Sequence, residues 1–173
     1  MPRPNPDEYA SFYADYINQG PEEDLIGAFE ADLEPTLKFL RGISEEASLV
    51  VHPPYTWTFR EVLGHILDAE RVFIFRALWF ARGDQRPLDG FDEHEFDRQA
   101  QYKRVAFADL VDQFEHLRRS TIAFFRSLPE EAWSRRGVAN GAPVSVNALG
   151  YVTLGHGRHH FSIMKQRAES NVK

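Results

Sequence analysis

The chain has 173 residues, 43% of them apolar, with a net charge of −6 and no cysteine. That length and apolar share suit one well-cored domain and argue against wholesale disorder. The acidic balance argues against nucleic acid and anionic membrane as partners, and the lack of thiols excludes disulfides, thiolate metal ligands and a cysteine nucleophile.

Strand signals are weak, and most of the sequence alternates helical periodicity with short breaker clusters, so the expectation is an all-α protein. The first ten residues read as loose. A short helix over 7–17, ended by Asn18-Gln19-Gly20-Pro21, completes an N-terminal extension, 1–20. The first long helix is expected over 21–41. Pro21 suits its first position, Glu22, Glu23 and Asp24 its positive end, and Leu25, Phe29, Leu33, Leu37 and Leu40 form its inward stripe. Pro35 should kink it. A loop with Pro53-Pro54 leads to Thr58-Phe-Arg-Glu61, a capping-box pattern that starts the second helix, and Gly83 suits its end.

The apolar segment 62–81 contains Asp68, Glu70, Arg71 and Arg76, and no stretch approaches the roughly 20 uncharged residues a membrane span needs. The opening Met1-Pro-Arg-Pro-Asn-Pro has neither basic leader nor apolar run, so a cytoplasmic location is expected. Residues 84–106 form a long connection rich in charge and aromatics (Phe91, Asp92, Glu93, His94, Phe96), expected to cap one end of the molecule. A third helix over 107–128 carries Leu110, Phe114, Leu117, Ile122 and Phe125. Pro129 ends it, with an extra turn over 129–133, and a fourth helix covers 145–168. No repeat or Gly/Ser/Pro-rich linker divides the chain, so 1–173 reads as a single domain. Four main helices over 21–168 predict a four-helix bundle, whose sites lie between facing helices. Phe73, Phe75, Trp79 and Phe80 cover more of the second helix than one core needs. A homodimer is expected there, unless the long connection folds over them.

The informative segment is Gly155-His-Gly-Arg-His-His160. His156 and His160 are four apart and share one helix face. At about 100° per residue both fall within roughly 20° of Leu149, at the centre of the apolar stripe, while His159 lies on its flank. Buried imidazoles need partners for both ring nitrogens. A divalent metal satisfies one nitrogen on each; a pair of hydrogen-bonded core histidines is the plainer alternative. Glycine is unfavourable inside a helix, so Gly155 and Gly157 point to close approach of another helix or a ligand.

Two histidines alone make a weak site. His52 lies in the Pro-rich loop, His94 in the long connection and His116 among charges, whereas His65 sits among Val62, Leu63, Ile66 and Leu67. With Phe59 at zero, His65 falls near 240°, off the apolar centre, and Glu70 near 20°, within it. Periodicity leaves both open as the third ligand, and Glu70 has the further alternative of a buried ion pair with Arg118.

The stretch from Thr58 to Arg71 (TFREVLGHILDAER), with YVTLGHGRHHFSIMK at 151–165, resembles the DinB/YfiT-like superfamily, a group associated with metal-dependent enzymes. The segments 86–92 (RPLDGFD) and 114–128 (FEHLRRSTIAFFRSL) resemble it too, so the likeness covers roughly 25–167. It implies a four-helix bundle and a metal triad of one histidine on the second long helix and a His-x-x-x-His pair on the last, here His65, His156 and His160. Glu70, Asp92 and Arg118 fall at the family's recurring polar positions and are carried as pocket candidates. The resemblance implies one divalent ion, zinc or nickel, acting in hydrolysis or in transfer with a low-molecular-weight thiol. Three imidazoles leave a coordination position open for water or substrate. The alternative is a non-catalytic, metal-stabilised interaction or stress-response protein.

Overall fold

Asp24, not Pro21, opens the first long helix. The structure, a computed structural model, describes residues 1–170. Two 3-10 turns, Pro6–Glu8 and Ser11–Tyr13, lead into a single-turn helix, α1 (Ala14–Ile17). Asp24 then adopts a left-handed conformation (φ 50°), and its side chain accepts from the Gly27 amide at 3.0 Å. That cap starts α2 (Leu25–Arg41), leaving Pro21, Glu22 and Glu23 outside the helix; α2 runs on through Pro35. Next comes α3 (Phe59–Ala81), whose capping box forms as read: the Thr58 amide donates to Glu61 Oε2 at 2.8 Å, and Thr58 Oγ1 accepts from the Glu61 amide at 3.3 Å. Gly83 (φ 83°) lies just past its end.

The connection 84–106 carries α4 (Glu93–Ala100) and a 3-10 turn, Tyr102–Arg104. Then follow α5 (Phe107–Arg126), one turn of α6 (Glu130–Trp133), strands β1 (Arg136–Ala139) and β2 (Ala142–Ser145), and α7 (Val146–Ser170). In the bundle, α3 packs against α7 and α5, and α2 against α5 and α7. Phe29, Leu37 and Leu40 of α2, Leu63 and Leu67 of α3, Phe114 and Phe125 of α5, and Leu149 and Val152 of α7 are fully or almost fully buried. Burial of each such side chain contributes about 1.5–3 kcal/mol.

Three sequence expectations change. First, the all-helical reading missed the antiparallel β1–β2 hairpin. Its turn is Asn140-Gly141, both at positive φ (53° and 73°), the conformation a tight two-residue hairpin needs. The dipeptide was the available signal. Second, the N-terminus is packed rather than loose. Asn147 Nδ2 donates to the Pro2 carbonyl at 3.0 Å, the Tyr151 hydroxyl to that of Met1 at 2.9 Å, and Arg3 Nη2 to that of Gly20 at 2.7 Å. α1 lies directly on α7, where a Cβ at Gly155 would stand 1.9 Å from the Tyr16 carbonyl oxygen. The close approach read from this glycine is therefore made by the N-terminal segment. Third, the long connection lies along α3 and also joins the hairpin. The Tyr102 ring covers Gly64 and its hydroxyl donates to Asp68 Oδ2 at 2.6 Å, while the Leu88 amide donates to the Val138 carbonyl at 2.9 Å.

Candidate metal centre

His65 projects from α3 toward α7, and His156 and His160 project back from successive turns of α7. His65 Nε2 and His156 Nε2 face each other at 3.0 Å. One ring nitrogen from each of the three histidines lies within 4.8 Å of the other two, so the group could hold a metal ion. A tetrahedral ion at 2.0–2.1 Å from its ligands needs donors roughly 3.3 Å apart. The trio fits that requirement after a small inward rotation of rings. Its donor set is all nitrogen, suited to zinc, nickel, copper or iron.

His156 is 5% exposed; His65 and His160 are half-buried. Burial lowers the pKa of all three below the ordinary imidazole value. His156 falls well below it, pushed further by His160, His65, His159 and Arg118. His160 is lowered to about 3 by burial, His65 and His159. His65 is lowered by burial against the opposing pull of Glu93 and Asp68. The rings are thus held neutral, with lone pairs available to a cation.

Because these folded-state values lie below the unfolded value of about 6.5, the unfolded chain takes up protons first. The stability contributed by the neutral rings is complete above about pH 6.5 and is lost as pH falls toward 3. Chelator-treated protein should therefore show a steady urea midpoint from pH 8 to 7 and a declining one below about 6.5. A midpoint that climbs between pH 7 and 5 would contradict this.

The three histidines line a cleft of about 420 Å³. Its α3 wall continues from His65 through Ala69, Phe73 and Arg76, a helical repeat of four, four and three. α1 contributes Tyr16, whose ring meets those of His156 and His159 edge-on at 5.3 and 5.6 Å. Trp57 packs against His65 at 5.3 Å and against His94 at 5.5 Å. Glu93, at the start of α4, also lines the cleft. Its charge, after burial and ahead of Asp15, raises the pKa of the Tyr16 phenol, which stays protonated.

Among the pocket candidates, Asp92 caps α4, accepting from the amides of His94 and Glu95 at 2.9 and 3.1 Å. Its neighbours Glu93 and His94 reach the cleft instead. The pattern Asp92-x-x-Glu95 is a helix-start signature that could have marked this one-residue offset. Glu70 pairs with Arg118 at 2.8 Å and accepts from the Thr121 hydroxyl at 2.7 Å, all buried. Among the described residues Glu70 is not part of the histidine group. Arg118 connects the ion pair to the site, since its Nη2 lies 3.1 Å from where a Gly157 Cβ would stand, one residue past His156. His52 is buried beside Phe59 and Arg167, and His116 is exposed, its Nδ1 2.7 Å from the Asp112 carbonyl.

Fold and site together define a four-helix bundle with a three-histidine group, able to hold a metal ion, set in an open cleft. The chain belongs to the DinB superfamily, whose sequence model matches residues 28–164. Several solved structures are similar, two of them as follows. YfiT from Bacillus subtilis, described as a probable metal-dependent hydrolase with an unusual four-helix bundle topology, aligns with a TM-score of 0.75 over 96% of this chain and 91% of its own, at 14% identity. The mycothiol-dependent maleylpyruvate isomerase aligns with a TM-score of 0.66 over 81% of this chain and 59% of its own, at 17% identity. At those identities the likeness concerns the fold. No curated protein matches the chain in sequence.

Proposed function

We propose that this chain is a metal-dependent enzyme acting on a small molecule, with a divalent ion, zinc or nickel, held by His65, His156 and His160. The observation that carries the reading is the convergence of three imidazoles from two helices at an open cleft. Bound there, the ion would supply Lewis acidity to an oxygen or sulfur atom of the substrate. The protein's own groups divide the remaining work. The Glu93 carboxylate is placed to accept a proton, and the protonated Tyr16 phenol to donate a hydrogen bond. Phe73, Phe91 and Trp57 shield the cleft from water, and Arg76, fixed by its 2.7 Å bond to the Asp89 carbonyl, gives it positive charge. The buried Glu70–Arg118 pair braces the helix turn that carries His156.

Hydrolysis and transfer with a low-molecular-weight thiol are the two reactions in view, in keeping with the descriptions of the two similar structures. Elemental analysis of protein purified without a nickel column should find one divalent ion per chain. Ester and amide hydrolysis, set against thiol-dependent consumption of an electrophile, then separates the two. Metal content near zero would sink the reading. If the site is catalytic, His160→Ala should abolish turnover with little loss of stability when the two proteins are compared after chelator treatment.

A homodimer through α3 is part of the proposal. Phe73 and Phe80 are buried, and Arg86 lies over Trp79, but Phe75 and Leu78 remain 49% and 39% exposed on neighbouring turns. Light scattering should give twice the chain mass, and Phe75→Glu should halve it. None of the helices is long and apolar enough to cross a membrane among the described residues, and a cytoplasmic location fits the proposal.

A further inference from the structure

A second cleft, of about 370 Å³, shares Trp57, His94 and His160 with the first. Its lining is mostly apolar, with Pro54, Trp57, Val62 and Ile163, and Arg167 lines it as well. This arginine is 4% exposed. Its guanidinium lies against the rings of Phe59 and Tyr55, at 4.7 and 5.0 Å. One terminal nitrogen donates to the Trp57 carbonyl at 2.6 Å and stands 3.4 Å from His52 Nδ1. Among the described residues, its buried Nε has no hydrogen-bond partner and no carboxylate pairs with the group. Arg118, which is also deeply buried, has Glu70 at 2.8 Å.

An unneutralised buried cation with an orphaned donor is unfavourable unless something occupies the space it faces. Carboxylate is the group that matches a guanidinium edge, by two parallel hydrogen bonds. Position favours a single negative charge over the double charge of a phosphate. Arg167 sits in the last turn of α7, the negative end of the helix dipole, where a dianion is disfavoured. His160 and Arg167 are seven residues apart, so they share a face of α7 with a rise of roughly 10 Å between them.

We propose that Arg167 is a carboxylate-binding subsite, and that the cleft takes a small monocarboxylate whose apolar chain runs over Ile163 and brings its other end to His160. Only that last element rests on the metal-site reading; the subsite stands on Arg167 alone. The ligand class is an extended carboxylic acid with about five or six carbons between the carboxylate and the reacting end, consistent with the helix rise.

Calorimetric titration of the full chain with hexanoate and with its neutral isostere hexanamide tests the subsite. Hexanoate should bind at least tenfold more tightly than hexanamide, in metal-loaded and chelator-treated protein alike, and shift the Arg167 Nε–H resonance. Arg167→Gln should remove the preference and Arg167→Lys keep part of it; the wild-type comparison holds even if a variant misfolds. Equal binding of acid and amide, or an unmoved Nε–H signal, overturns the proposal. A separate titration with 6-mercaptohexanoate reads the metal. A further tenfold gain over hexanoate, seen only in metal-loaded protein and lost in His160→Ala, supports the metal site. Absence of that gain with the hexanoate preference intact counts against the metal reading and leaves the subsite supported.

Discussion

Replacement of Glu70 by alanine is expected to destabilise the protein by about 3–5 kcal/mol, the cost of leaving one member of a buried ion pair unpaired. Glu70 and Arg118 are 2% and 3% exposed. Glu70 receives both Arg118 Nε and Nη2, at 3.0 and 2.8 Å, together with the Thr121 hydroxyl. With the carboxylate gone, the guanidinium remains between Phe29 and Phe114, at 5.0 and 5.1 Å, with no anion to offset its desolvation. For a chain of this size the loss corresponds to a fall in Tm of roughly 6–20 °C. Urea denaturation measures it. The double replacement Glu70→Met with Arg118→Met should restore most of the loss, because removing both charges removes the desolvation penalty as well. Metal content of folded Glu70→Ala protein bears on the alternative that Glu70 is itself a metal ligand. A ligand would take the ion with it, whereas a brace would leave stoichiometric binding. A stability change under 1 kcal/mol would show that the pair is solvated in solution.

Replacement of His156 by alanine is expected to weaken metal binding by more than about a hundredfold, since changes in the groups that merely orient metal ligands cost 10–100-fold. His156 is the most buried of the three and the ring that His65 Nε2 approaches at 3.0 Å. Without it two half-buried imidazoles remain, too few to compete with chelation by buffer. The thermal signature follows from linkage. At free metal a thousand times Kd the wild type should gain about 4 kcal/mol, while the variant should gain almost none. Differential scanning with and without zinc reads both values. An equal rise in the two proteins would place the ion elsewhere. A large wild-type rise with no turnover in any assay would favour the non-catalytic, metal-stabilised reading.

The parts of the fold and site that were legible in the sequence share one property: they depend on nearby residues. The capping box at Thr58 and Glu61 formed where it was read, because both hydrogen bonds close within a single turn. The pairing of His156 with His160 was legible for the same reason, as spacing along one helix places two rings on one face. His65 was not legible from periodicity. α3 is buried by α7 on one side, α5 on another and α4 on a third, so its apolar residues encircle it and mark no single face. Glu70, at the apolar centre, turned toward Arg118 on α5, and His65, off centre, turned toward α7. The family resemblance pointed to His65, which the structure groups with His156 and His160. Glu93, Tyr16, Trp57 and His94 come to the cleft from loops and short elements whose path is set by docking, through the Asp92 cap and the Gly155 contact.

By itself the sequence determined the four long helices, the Thr58 cap and the histidine pair on the last of them, since helix formation is settled by turn-to-turn hydrogen bonds and side-chain spacing. Only the tertiary structure decided which face of α3 meets α7, and with it which groups surround the three imidazoles. Those choices depend on packing between residues far apart in the chain, and a crowded helix can satisfy its apolar surface in more than one orientation.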